Sequence, residues 1–175
     1  MAQDISCMID ALKDAVQMEI DGQEFYQQAA ARAQTPGTRE IFAYLAKSEA
    51  YHIQKIREIY QSLGKDPKWS ETMCKFDQPH HEPNVFAKAL NSEAMGQGTA
   101  DDLKALKMGM EMEEQSVAYY NKLAREAGTP MERRFFLSLV NEERGHYLAL
   151  LDYHNYLSDP VDWFYISEMS HVDGA

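Results

Sequence analysis

The chain repeats itself. Shifted by 94 residues, positions 11–69 align without a gap on positions 105–163, and 17 of those 59 pairs are identical. Chance gives roughly one identity in fifteen at ordinary amino-acid usage. Ala11-Leu12-Lys13 meets Ala105-Leu106-Lys107, Thr35-Pro36 meets Thr129-Pro130, and Leu63 and Trp69 meet Leu157 and Trp163. The fold therefore has to be one that a duplicated unit can build with itself.

Each unit reads as two helices. Ile5, Met8, Leu12, Ala15, Glu19, Tyr26, Ala30 and Ala33 fall on one face at steps of three and four. Thr35 is a natural N-cap and Pro36 a natural first helical residue, so a second helix starts there. Its inner face is Phe42, Leu45, Ala46, Glu49, His52, Ile53, Ile56 and Leu63, and Gly64 and Pro67 end it. Thr99 with Asp102 opens a third helix in a capping-box-like arrangement. Its inner face carries Leu106, Met110, Glu113, Val117, Tyr120, Ala124 and Ala127. Thr129-Pro130, with Glu132 completing a capping box, starts a fourth, which presents Phe136, Leu139, Val140, Glu143, His146, Tyr147, Leu150 and Leu157.

The turn inside each unit is short, so each pair is antiparallel. The connector from Gly64 to about Gly98 is long enough to run the length of a bundle. These features predict an all-α, four-helix bundle with one long crossover, the topology of ferritin-like folds. Within the crossover, Val85–Met95 is expected to form a short helix. The stretch after Pro160, with Trp163, Phe164 and Tyr165, is expected to pack as a short fifth element. Residues 1–175 read as one domain, and at this length a core burying roughly 70% of the unfolded surface is attainable.

Composition narrows the function. Lys+Arg is 17 and Asp+Glu is 28, a formal charge of −11, which argues against a nucleic-acid partner. No run of about 18 apolar residues exists to span a membrane. Cys7 and Cys74 are the two cysteines, and no CxxC pair occurs, so neither a four-thiolate metal site nor a disulfide framework is available. Met1–Asp14 carries acids and no signal-like apolar run, so a cytoplasmic location is expected.

Glu19, Glu49, His52, Glu113, Glu143 and His146 interrupt otherwise apolar faces, with no Lys or Arg phased beside them. A carboxylate in a bundle core must protonate or find a cation. Glu49-Ala50-Tyr51-His52 and Glu143-Arg144-Gly145-His146 are two Glu-x-x-His motifs, and a step of three puts both side chains on one side of a helix. Two such motifs, plus one lone glutamate from each remaining helix, are the donor set of a di-iron or di-manganese carboxylate site. Glu49 and Glu143 are expected to bridge, with Glu19, Glu113, His52 and His146 terminal. Tyr26 and Tyr120, one heptad past Glu19 and Glu113, are expected to pack and to hydrogen-bond a group beside the site.

On these residues the chain resembles the rubrerythrin-type, ferritin-like di-iron proteins, from about residue 8 to residue 163. The resemblance rests on Glu19 with Phe25-Tyr26, on Phe42, Leu45, Ala46, Glu49 and His52, and on Glu113 with Tyr119-Tyr120, Phe136, Leu139, Glu143 and His146. It implies an oxo-bridged di-iron centre that reacts with hydrogen peroxide or dioxygen in oxidative-stress defence. Rubrerythrins proper add a rubredoxin iron site with paired CxxC motifs, and this chain has none, so an external electron-donor protein is implied. They also carry an extra glutamate three residues after the third-helix ligand. Here that position is Ser116, whose repeat mate is Gly22, so a symmetric six-ligand site is expected.

Two iron ions are the expected cofactor, with manganese or a mixed pair suited to the same donors. A homodimer or small homo-oligomer is the expected assembly. Two other readings compete: a ferroxidase that handles iron inside a larger shell, and a helical scaffold whose metal is structural. His80-His81-Glu82 reads as a solvated turn, Cys74 as a free thiol, and His154 and His171 as lone residues. Met108, Met110 and Met112 read as core filler.

Overall fold

The termini of the helices follow from local chemistry. Thr129 is extended, its Oγ1 accepts from the Glu132 amide at 3.2 Å, and Pro130 begins the helix that follows. The Glu132 carboxylate reaches back to the Gly128 amide at 3.1 Å, one residue before the cap that the sequence suggests. Thr38, its repeat mate, instead bonds Thr35 through paired hydroxyls 2.5 Å apart. Thr99 Oγ1 likewise accepts from the Asp102 amide at 3.1 Å.

The computed structural model describes residues 2–65 and 99–172. They form α1 (Ala2–Arg32), α2 (Pro36–Lys65), α3 (Ala100–Glu126), α4 (Pro130–Ser158) and α5 (Pro160–Val172), with no strand among the described residues. The helices pack most extensively within each hairpin, α1 on α2 and α3 on α4. The two hairpins complete a ferritin-like four-helix bundle, and α5 lies against α4. The expected Val85–Met95 helix, Cys74 and His80-His81-Glu82 lie outside the described residues.

The apolar faces close into two clusters. One joins Leu12 and Ala15 of α1, Ile56 to Leu63 of α2, Tyr120 to Ala124 of α3, and Phe135 to Val140 of α4. The other joins Tyr26 and Ala29, Ile41 to Ala46, Leu106, and Leu150 to Leu157. On each of α1 to α4 the acidic and imidazole residues fall between the two clusters. The antiparallel hairpins thus place a polar layer at mid-bundle with an apolar plug on each side. Each fully buried Leu, Ile or Phe in the plugs stabilises the fold by roughly 1.5–3 kcal/mol.

Two expectations need correction. Asp102 does not close a capping box on Thr99. It is 3% exposed, and its two carboxylate oxygens accept from the Gln34 and Thr35 amides at 3.0 and 3.1 Å. It pins the α1–α2 turn to the start of α3, a long-range contact that local pattern does not encode. Asp102→Ala is expected to lower stability by about 2 kcal/mol, since it orphans two amide donors that now bond a charged group. Urea unfolding of the metal-free protein measures this, and an unchanged midpoint would show that solvent replaces the clamp.

In α5, Trp163 stacks edge-on with Tyr156 and donates to Asp152 Oδ1 at 2.8 Å, as a packed element should. Phe164 is partly exposed and Tyr165 is largely exposed, because α5 is one helix on an already closed bundle and can bury only one face. Met108 is 45% exposed rather than core filler, since two residues from each of Leu106 and Met110 it lies on the other side of the helix.

Candidate metal centre

All six predicted residues meet in the polar layer. Glu19, Glu49, His52, Glu113, Glu143 and His146 are each at most 3% exposed. No Lys or Arg is buried among the described residues. His52 Nδ1 faces three carboxylates: Glu19 Oε2 at 3.1 Å, Glu143 Oε1 at 3.2 Å and Glu49 Oε2 at 3.4 Å. His146 Nδ1 faces three more oxygens: Glu143 Oε2 at 3.2 Å, Glu49 Oε1 at 3.6 Å and Glu113 Oε1 at 3.7 Å. The two rings lie nearly parallel with centroids 5.5 Å apart.

One ring N–H can satisfy one oxygen well. Three oxygens around each Nδ1 therefore leave acceptors without donors. Glu143 Oε1 is buried and accepts no hydrogen bond among the described residues. The donors sort into two overlapping groups whose ligand atoms lie within 4.8 Å of one another. Glu19, Glu49, His52 and Glu143 form one, and Glu49, Glu113, Glu143 and His146 form the other. Glu49 and Glu143 belong to both. Each group fits a metal ion, and the two groups have Glu49 and Glu143 in common.

The electrostatics agree. Burial, then the charges of Glu19 and Glu143, push the Glu49 carboxyl well above its usual range. Burial and the Glu143 charge raise Glu113 to about 8, against the lowering effect of His146. Glu143 goes the other way. Burial pushes it up, but His52 and His146 outweigh that and hold it well below the carboxylate range. Both imidazoles are held protonated. Burial lowers their affinity for the proton, and the carboxylates outweigh it, chiefly Glu143 at His52 and Glu113 at His146. Without a metal, protons do the neutralising.

Tyr26 and Tyr120 join the site crosswise. Tyr26 of α1 donates to Glu113 Oε1 of α3, and Tyr120 of α3 donates to Glu19 Oε1 of α1. Burial, then the charge of the accepting glutamate, raises both phenols well above their usual range, so each remains a donor. Gly109 makes room for Tyr26. A Cβ there would sit 3.1 Å from Leu150 Cδ1 and 3.3 Å from the Tyr26 ring.

Sequence reading missed two neighbours of the histidines. Ser48 Oγ lies 2.8 Å from His146 Nε2, on the ring edge facing away from the carboxylates. The half-buried Glu142 groups with His52 and His146 within the same 4.8 Å span. Ser48 and Glu142 are repeat mates, each one residue before a shared glutamate. That common polar position was the available signal. His154 is half-buried on α4 and joins none of these groups, and the His171 side chain lies outside the described residues.

Among curated proteins none matches this chain. A solved structure of a hypothetical protein from Pyrococcus furiosus superposes with a TM-score of 0.61 at 22% identity. It covers 85% of this chain and 89% of its own, and shows the shared fold. The profile of the Rubrerythrin family matches residues 10–153, a span that contains all six residues of the polar layer. Two carboxylate-rich donor groups at mid-bundle and a match over most of its length place this chain in the rubrerythrin family of ferritin-like di-iron proteins.

Proposed function

We propose that this protein is a non-haem di-iron oxidoreductase whose Fe(II) pair is oxidised by hydrogen peroxide or dioxygen in defence against oxidative stress. One observation carries the reading: two buried donor groups share Glu49 and Glu143. Glu19, Glu49, His52 and Glu143 would hold one ion, and Glu49, Glu113, Glu143 and His146 the other. When bound, such a metal pair supplies two electrons to an O–O bond.

The chain's own residues do the rest. Tyr26 and Tyr120 fix the orientation of Glu113 and Glu19 by hydrogen bonds from the opposite helix. Ser48 fixes the His146 ring from its outer edge. The two apolar plugs keep bulk water from the ends of the layer. The chain has two cysteines and no CxxC pair, so electrons for repeated turnover come from a separate donor protein. We place the protein in the cytoplasm as a homodimer or small homo-oligomer. Among the described residues no helix is long and apolar enough to cross a membrane.

Anaerobic stopped-flow mixing of the iron(II)-loaded protein with hydrogen peroxide tests the reading. One fast oxidation per metal pair is expected. Slow steady turnover should follow unless a reductant protein is added. A loaded protein that peroxide and dioxygen leave reduced would overturn it in favour of a structural metal.

A further inference from the structure

The two hairpins do not close everywhere. Between α1 and α3 a cavity of about 370 Å3 opens from solvent onto Glu19, Glu49 and Glu113. It straddles the repeat axis, since Met18 and Met112, Asp21 and Gln115, and Gly22 and Ser116 are mates at the 94-residue offset. α1 and α3 pack far less extensively on each other than the helices of either hairpin do. The small pair Gly22 and Ser116 is one cause. Gly22 is buried, and a Cβ added there would lie an ordinary 3.7 Å from Glu49 Cδ. The glycine therefore does not serve a forbidden backbone angle or an overcrowded contact. It leaves space in front of a shared carboxylate.

That space is far larger than hydrogen peroxide or dioxygen needs, because one water takes roughly 30 Å3 in the liquid. Cavities that hold small organic ligands begin at about 300 Å3. The wall is mixed. Met18 and Met112 supply polarisable apolar surface, and Gln17, Gln115 and Ser116 supply neutral polar groups. Asp14 and Asp21 stand at the exposed mouth and disfavour an anion. The site therefore suits a neutral molecule with a small alkyl body and an oxygen-rich head directed at Glu49 and Glu113.

We propose that the α1–α3 cavity binds a small alkyl hydroperoxide, that Gly22 and Ser116 set the size admitted, and that Met18 and Met112 receive the alkyl group. This rests on the oxidoreductase reading above. With the metal pair bound, two electrons from it and two protons from solvent would convert the hydroperoxide to an alcohol and a water as its O–O bond breaks. No further reactant enters the balance.

Binding can be read without turnover. In protein loaded with redox-inert Zn(II), carbon-13 methionine methyl signals are followed during titration with tert-butyl alcohol, the non-oxidising product. Saturable shifts are expected at Met18 and Met112, assigned by Met18→Leu and Met112→Leu, with the exposed Met108 unmoved. In iron(II)-loaded protein, oxidation rates with tert-butyl hydroperoxide and hydrogen peroxide are then compared. Ser116→Leu and, separately, Gly22→Val should lower the ratio of the first rate to the second by about tenfold or more, the scale at which added methylenes are discriminated in a filled pocket. The same variants should lose the methionine shifts. Unmoved Met18 and Met112 signals, or a rate ratio that neither variant changes, would overturn the proposal. Shifts without oxidation by tert-butyl hydroperoxide, while hydrogen peroxide oxidises, would also overturn it as a substrate site. Shifts with neither peroxide reacting would overturn the underlying oxidoreductase reading, and the substrate assignment with it.

Discussion

Replacing Glu49 or Glu143 with alanine is expected to abolish the metal pair, taking metal content from two ions per chain to none. Each of these glutamates belongs to both donor groups, so its loss removes an oxygen from both ions. Glu19 and Glu113 each belong to one group, and Glu19→Ala or Glu113→Ala should spare the other ion. Elemental analysis after anaerobic iron loading measures the contrast. The metal-free variants supply an internal control. Glu49 is forced to hold a proton by burial and by its carboxylate neighbours, so removing it relieves strain in the empty site. Metal-free Glu49→Ala should melt no lower than the metal-free parent protein, while it loses the metal-dependent increment. Equal metal content for the Glu49 and Glu19 variants would show that Glu49 does not bridge.

The melting gap between metal-loaded and metal-free protein is expected to widen as pH rises from about 6 to 8. Glu113 in the metal-free fold is raised from 4.5 to about 8, and Glu49, His52 and His146 are raised in the same direction. A raised folded pKa contributes stability that is fully present below the unfolded pKa and is lost as pH climbs through the folded one. The metal-free protein therefore weakens across this interval. Glu143 has the opposite shift, and its contribution is lost only as pH falls below the ordinary carboxylate range. Metal binding needs these groups deprotonated, so affinity strengthens over the same interval. At free metal a thousandfold above Kd, one site adds about 4 kcal/mol, roughly 10 °C for a chain of this size. Scanning calorimetry of both forms at each pH checks the trend. A gap that stays constant or narrows as pH rises would mean that the carboxylates titrate as solvated groups.

Much of this architecture was legible in one dimension. An α-helix turns every 3.6 residues, so a sequence states which residues share a face whatever that face meets. Leu12 with Ala15, Phe42 with Leu45, Leu106, and Phe136 with Leu139 were phased inward from their spacing and are buried. The same phasing placed Glu19, Glu49, His52, Glu113, Glu143 and His146 at one depth, and the repeat doubled the signal. Their chemistry then called for a cation or a proton, because buried carboxylates with no basic partner have no other neutral arrangement.

Relations between helices were not legible. Nothing in the spacing says that Tyr26 serves Glu113 and Tyr120 serves Glu19, since a heptad offset fixes a face and not the facing partner. Asp102 looked like a local cap and proved to hold a turn 67 residues away. Ser48 and Glu142 gained their places beside the histidines only when the hairpins met. The cavity at Gly22 and Ser116 is the sum of what two helices leave unfilled, and no single helix contains it. By itself the sequence determined the faces, the polar layer and the donor set, because helical periodicity is local. Tertiary structure alone decided which tyrosine holds which glutamate, which polar residues stand beside the histidines and how wide the entrance is, because those depend on the distance between helix axes, which packing sets.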